Sequence, residues 1–181
     1  MHPGELQQAA QVIRRGGLVA YPTEYCFGLG CDPFNRAAVL RLLRLKRRLV
    51  EKGLILIAAD VSQLAHYVDD IPDKVLATWP GPHTWLLTPR AGVPGWITGK
   101  HPHIAVRVTA HPSAAALCKA AGMAIVSTSA NRGGGTPART DRDVERLFGR
   151  ELDFIVRDVV GNAPAPTPIR DAVTGELVRA G

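Results

Sequence analysis

The chain has 181 residues, 46% of them hydrophobic and 21% charged, which is the composition of an ordinary folded protein with one core. Its 22 Lys and Arg against 16 Asp and Glu leave a net charge of +6, and no apolar run approaches the ~20 residues of a membrane helix. The N-terminal MHPGELQQAAQVIRR lacks the apolar centre of a signal peptide, so a cytoplasmic protein is expected, and the 3 cysteines (Cys26, Cys31, Cys118) form no CxxC pair, which argues against a disulfide framework or a zinc site.

Taken in order, Leu6, Ala9, Ala10 and Ile13 recur at helical spacing and predict a helix over residues 5–15, stopped by Gly16-Gly17. Residues 18–21 read as a short strand. Residues 22–35, PTEYCFGLGCDPFN, read as a long Gly- and Pro-rich loop, and loops of that length in a domain are often functional. Residues 36–52, RAAVLRLLRLKRRLVEK, hold seven cations and one anion, a net of +6 that equals the charge of the whole chain. Val39, Leu42, Leu43 and Leu49 can line a buried side of a helix there, Arg41, Arg44 and Arg48 share another face, and Gly53 ends the stretch. With almost no acid four residues from a base, this helix is expected to face an anionic ligand rather than only solvent.

Residues 54–59, LILIAA, read as a buried strand. Asp60 and Gln63 resemble a capping pair for a short helix to about residue 67, and Pro72 opens another that ends before Trp79-Pro80-Gly81-Pro82. Residues 83–88 and 104–108 read as strands, residues 112–121 as an alanine-rich helix closed by Gly122, and residues 123–127 as a strand. A polar loop over residues 128–139 precedes a helix opened by Thr140 and Asp143 and ended at Gly149. A strand at residues 154–157 and a hairpin over residues 169–181, turning at Thr174-Gly175, complete the chain. Strands alternate with helices, which argues for an α/β fold with a mixed sheet in one domain, residues 1–181.

The common nucleotide signatures are absent. There is no GxxxxGK[ST] loop, and Gly28-Leu29-Gly30 could begin GxGxxG but Pro33 stands at the third glycine. His101 and His103 have no nearby carboxylate or thiol and read as surface histidines, so no metal ligands are expected. Ser127-Thr128-Ser129-Ala130-Asn131 follows an apolar strand, where open α/β sheets bind ligands, although an ordinary Ser/Gly turn fits the spacing equally well. Arg107 lies inside the apolar run IAVRV and must pair with an acid or hold a ligand. Thr23, Glu24 and Tyr25 follow the first strand. Together these suggest a cleft at strand ends, with Lys46, Arg48, Lys52 and Arg107 as cations and Ser127, Ser129 and Asn131 as polar contacts. Such a cleft suits a polyanion, either a nucleoside triphosphate or an RNA backbone. The residues alone name no reaction.

At these residues the sequence resembles the YrdC/TsaC family of threonylcarbamoyl-AMP synthases. The likeness is carried by YPTEYCFGLGCDP, LKRRLVEKGLILIAA, WPGPHTWLL, AVRVTAHP, STSAN and IRDAVTGELVRAG in that order, from about residue 12 to the C-terminus. It implies a twisted open mixed sheet flanked by helices, with a basic concave cavity, in the short single-domain form. It implies that L-threonine, bicarbonate and ATP give threonylcarbamoyl-AMP and pyrophosphate, for N6-threonylcarbamoyladenosine in tRNA, with Mg2+ sharing the triphosphate and TsaB/TsaD/TsaE-type partners making the transfer. By the same resemblance Lys46, Arg48, Lys52, His103, Ser129, Asn131 and Arg179 would contact ATP. Thr23, Tyr25, Arg107, Ser127 and Thr167 would contact threonine. Tyr25 stands where the longer branch has Thr, Ile57 where it has His, and Leu49 where KxRP has Pro. Two other readings compete. An RNA-binding module (tRNA or rRNA) assisting ribosome maturation would use the same basic cavity, but residues 36–52 contain no aromatic to stack a base. A carbamoyl-transfer domain of the hydrogenase-maturation kind normally belongs to a much longer chain.

Overall fold

The structure, a computed structural model, describes residues 3–180. Met1, His2 and Gly181, which fall in the predicted domain span and final hairpin, lie outside the described residues. Among the described residues there are nine strands: β1 (Val19–Pro22), β2 (Phe27–Gly30), β3 (Ile55–Ala58), β4 (Thr84–Leu87), β5 (Ile104–Val108), β6 (Ile125–Ser129), β7 (Phe154–Ile155), β8 (Ile169–Asp171) and β9 (Leu177–Arg179). They form one twisted mixed sheet in the order β7-β1-β2-β6-β3-β5-β4-β8-β9. The pairs β1–β7, β3–β5 and β4–β8 are parallel and the others antiparallel.

Side chains alternate across a strand, and here the alternation divides the core in two. Val19, Tyr21, Ile57 and Ile125 point to one face, where they meet Leu6, Ala9, Ala10 and Ile13 of α1 (Pro3–Arg14) and Leu117, Cys118 and Ala121 of α5 (Pro112–Ala121). Leu18, Ala20, Phe27, Leu29, Leu56, Val106 and Val126 point to the other. There they pack with Val39, Leu42 and Leu43 of α2 (Arg36–Lys46), Val75 of the short α3 (Asp73–Leu76), Ile97 of α4 (Gly95–Thr98), and Val144 and Phe148 of α6 (Asp141–Phe148).

The helix ends follow from local chemistry. The Asn35 side chain accepts the Ala38 N–H at the start of α2, and Thr140 accepts the Asp143 N–H at the start of α6. The α5 helix has Pro112 in its first turn, with His111 Nδ1 accepting the Ala114 N–H, and Gly122 in the left-handed conformation at its end. At the end of α2 Arg47 takes that left-handed conformation instead, at φ 53°, the one non-glycine to do so among the described residues. Its N–H donates to Arg44 and that of Arg48 donates to Leu43, the double bond of a Schellman turn.

Several expectations need correction. The predicted loop over residues 22–35 contains β2, which pairs with β1 as a hairpin in the register Tyr21 to Gly28. The basic stretch, read as a helix running into a loop, has its helix end at Lys46, and a 3-10 turn, Val50–Lys52, follows before Gly53. The helix expected after Asp60 is a 3-10 turn, Val61–Leu64. Asp60 caps the Ser62 N–H, and Gln63 reaches back to the Ala59 N–H. Strand β6 begins and ends two residues later than the predicted one, so Ser129 as well as Ser127 lies on the strand itself.

Candidate active site

The sheet face that carries α1 and α5 is left uncovered beyond those helices, and a cavity of about 340 Å3 opens on it. Its floor comes from the alternation of three neighbouring strands. Gly28 of β2 is paired with Ser129 of β6, and Ser127 of β6 with Ile55 of β3. Arg107, opposite Ile57, faces the same side because Val106 and Val108 face the other core. Glycine at 28 keeps the floor low, since a Cβ there would already sit 3.2 Å from the Tyr21 ring and 3.3 Å from the Thr23 methyl. The walls are the β1–β2 turn (Thr23, Glu24, Tyr25, Cys26), Arg48, Pro137, the Pro166-Thr167 segment and Arg179 of the terminal hairpin.

Among the described residues, three arginines therefore line the cavity against one carboxylate. Arg107 is buried, 6% exposed, and Glu24 Oε2 lies 3.1 Å from its Nη2, while its Nε has no hydrogen-bond partner. Burial alone would raise the Glu24 carboxyl, but the Arg107 charge and the Thr109 hydroxyl (2.6 Å) outweigh it and hold Glu24 below the ordinary carboxylate value. Arg48 Nη2 donates to the Gly53 carbonyl at 3.0 Å, and its buried Nε is also unpartnered. Arg179 Nη2 donates to the Thr167 carbonyl at 2.8 Å. Burial, and then the charges of Arg107 and Arg48, lower the Arg179 pKa. Clustered cations with one committed acid make a site that favours an incoming anion.

The hydroxyls are placed by short local bonds. Thr23 Oγ1 donates to the Cys26 carbonyl (2.7 Å), Ser129 Oγ to Asn131 Oδ1 (2.6 Å), and Thr84 and Thr167 share a hydrogen bond of 3.1 Å beside the floor. Arg139 stacks its guanidinium over the Tyr25 ring at 5.1 Å.

Comparison with known proteins bears on this arrangement directly. The family model Sua5/YciO/YrdC, described as telomere recombination, matches residues 11–181, a span that includes every residue of the cavity. This chain belongs to the Sua5/YciO/YrdC family. It is similar to the threonylcarbamoyl-AMP synthase of Nitrosococcus oceani, 51% identical over 94% of this chain and 95% of that one. It is similar also to that of Alkalilimnicola ehrlichii, 54% identical over 97% and 95%. Among solved structures, P. abyssi Sua5 complexed with L-threonine matches with a TM-score of 0.92 at 30% identity, over 99% of this chain and 54% of that one. The chain thus spans about half the length of that Sua5. E. coli YciO matches with a TM-score of 0.82 at 26% identity, over 98% and 91%. T. kodakarensis HypF, 20% identical with a TM-score of 0.78, shares the fold.

Of the residues that the family resemblance singles out, Thr23, Tyr25, Arg48, Arg107, Ser127, Ser129, Thr167 and Arg179 line the cavity together. Lys46, Lys52, His103 and Asn131 are not among its lining residues. Lys52 is exposed on its 3-10 turn, and its carbonyl receives Arg48 Nη2 at 3.4 Å. His103 precedes β5 and lies near Asp171. That carboxyl is held low chiefly by the N–H groups of Thr174 and Val173, with His103 adding a weaker pull. Asn131 spends its amide on the Arg132 and Gly135 carbonyls, bracing its own loop. Lys46 is buried, and its Nζ donates to the carbonyls of Ser129 and Asn131, the latter at 2.8 Å. Burial, and next the Arg48 charge, lower the Lys46 ammonium to about 8.

Sequence reasoning left Glu24, Cys26, Leu54, Pro137 and Pro166 out of the site. The ion pair anticipated for Arg107 is the signal that could have found Glu24. One acid missing from residues 36–52 is supplied from afar, Asp153 pairing with Arg41 at 2.6 Å, whereas the stretch's own Glu51 pairs outward with Lys100 at 2.9 Å. Among the described residues no cluster of three His, Cys, Asp or Glu could hold a metal ion, and no helix is long and apolar enough to cross a membrane.

Proposed function

We propose that this Sua5/YciO/YrdC chain is an L-threonylcarbamoyladenylate synthase, a nucleotidyltransferase that joins L-threonine, bicarbonate and ATP with loss of pyrophosphate. The observation that carries the reading is the cavity itself. Three arginines and a set of Ser and Thr hydroxyls converge on the open sheet face, in a chain about half identical to synthases of that name.

The chemistry asks for alignment and charge neutralisation more than for a protein nucleophile. Threonine would lie over Arg107, its carboxylate against the guanidinium, with Thr23, Tyr25, Ser127 and Thr167 around its side chain. Its amine, deprotonated, adds to CO2 released from bicarbonate and becomes a carbamate. A carbamate oxygen then attacks the α-phosphorus of ATP, and the bond to the β-phosphate oxygen breaks as pyrophosphate leaves. Arg48 and Arg179 would neutralise the phosphates, with Ser129 nearby. Lys52 and His103 would act from the rim, and Lys46 and Asn131 through the loop they brace. The described lining residues do not fit a protein-held magnesium ion, because the one carboxylate among them is committed to Arg107 and Thr109, so Mg2+ would arrive on the triphosphate. The product would serve tRNA N6-threonylcarbamoyladenosine formation in the cytoplasm, handed to TsaB/TsaD/TsaE-type partners.

The direct test is pyrophosphate release from ATP with threonine and bicarbonate each added or withheld. Release that requires both is the expected result. Release indifferent to threonine would overturn the reading.

A further inference from the structure

Lys46 is a buried cation that does not line the cavity it would be expected to serve: its ammonium is held by backbone carbonyls instead. Around it the C-terminus of α2 and the loop after β6 grip each other from both sides. The loop caps the helix: Arg132 Nη1 donates to the Leu45 carbonyl at 3.0 Å, and the Gly133 N–H donates to the Lys46 carbonyl at 3.1 Å. These are carbonyls that a helix end leaves without partners. The helix in turn caps the loop, through the Lys46 Nζ bonds to the Ser129 and Asn131 carbonyls. The Ser129 carbonyl is shared with the Asn131 N–H at 2.9 Å, so the ammonium sits on the tightest point of the turn.

Two cavity groups hang from this lock. Ser129 is one, and its neighbour Ser127 lies on the same strand face. Arg48 is the other, two residues beyond Lys46 and directed by the Schellman turn that ends α2. We infer that Lys46 is a positioning residue: it fixes the 129–133 loop to the end of α2, and so sets the Ser127/Ser129 hydroxyls and the Arg48 guanidinium in register, instead of touching the triphosphate. This role rests on the proposed synthase reading for its substrates but not for its geometry.

The two roles separate by ligand. If the Lys46 ammonium touched phosphate, Lys46→Met would weaken pyrophosphate and ATP binding and leave threonine binding without nucleotide intact. If it is a lock, the same substitution disorders hydroxyls that serve both ligands. Calorimetric titration of L-threonine alone and of pyrophosphate alone should therefore show affinity for both falling, each by about tenfold or more, the loss of about one charge-assisted hydrogen bond. Hydrogen exchange should speed up at the Asn131 and Gly133 amides. Lys46→Arg, which can still donate to two carbonyls, should recover much of the threonine affinity. Arg132→Met attacks the same lock from the loop side and outside the cavity, and should weaken threonine in the same direction if Lys46→Met does not fold. Normal threonine affinity and loop protection in Lys46→Met, with pyrophosphate binding alone abolished, would overturn the assignment. A wild-type protein that binds no threonine would sink the synthase reading instead, and the exchange data would still decide the role of Lys46.

Discussion

At the scale of single residues, the clearest contrast is between two neighbouring arginines. Arg48 lines the cavity with an unpartnered Nε, and among the described residues no acid is paired with its charge. Arg48→Ala should lower threonine-dependent pyrophosphate release by about 10²-fold, the usual scale for removing one preorganised charge-stabilising group, with a nearly unchanged unfolding curve. Arg47 is exposed and carries the opposite burden, a left-handed backbone that a side chain resists. Arg47→Gly should raise stability in urea by about 0.5–1 kcal/mol, because relief of that strain exceeds the added entropy of glycine in the unfolded chain. Much of the site was legible at this scale. A lone Arg in IAVRV and hydroxyls after an apolar strand are chemical anomalies, and eight of the residues singled out do meet in the cavity. Direction was not legible. Lys46 and Arg48 are two residues apart in one basic run, and only the turn at Arg47 sends one ammonium under the loop and one guanidinium into the cavity.

At the scale of elements, the strands carried by apolar runs were read to within two residues at each end and β2 was not read. Its sequence FGLG presents Phe27 and Leu29 to one core, while Gly28 and Gly30 face the other side. A Cβ at Gly30 would stand 2.6 Å from the Val126 carbonyl, so the close packing that makes the strand also removes the residues by which strands are recognised. The hairpin thus looked like a loop. Strand β3 is the opposite case, an apolar run sandwiched between β5 and β6 with Leu56 fully buried. Leu56→Asp should cost about 4 kcal/mol or more, for an unpaired carboxylate in a dry core. Loss of the cooperative transition in circular dichroism is expected, and a folded, active variant would show that the strand is not central.

At the scale of the whole molecule, distant segments meet through one strap, residues 158–163, beside the β1–β2 turn that walls the cavity. His111 caps α5 with Nδ1 and reaches the Val159 carbonyl with Nε2 (3.1 Å), and Ser113 holds Asp158 at 2.6 Å. The strap is tied to the β1–β2 turn as well, by N–H bonds from Gly161 to Thr23 and from Ala163 to Glu24. Burial, against weaker opposing pulls from Glu24 and Asp158, holds the His111 imidazole below its ordinary 6.5. The unfolded chain therefore binds the proton more readily. Stability from this group is complete above pH 6.5 and declines as pH falls toward the folded value. His111→Asn, which still caps but does not titrate, should flatten that decline in thermal melts. None of this strap was visible in the sequence, because its side-chain bonds join residues 48 and 45 positions apart, and its backbone bonds residues still further apart, with no periodic signal. The glycine floor has a consequence of another kind. No residue is smaller than glycine, so mutation at position 28 can only fill the cavity and never deepen it. Any widening of the site must therefore be written at other lining positions, such as Tyr25, Pro137 or Pro166, while position 28 has a single spelling that leaves the floor open.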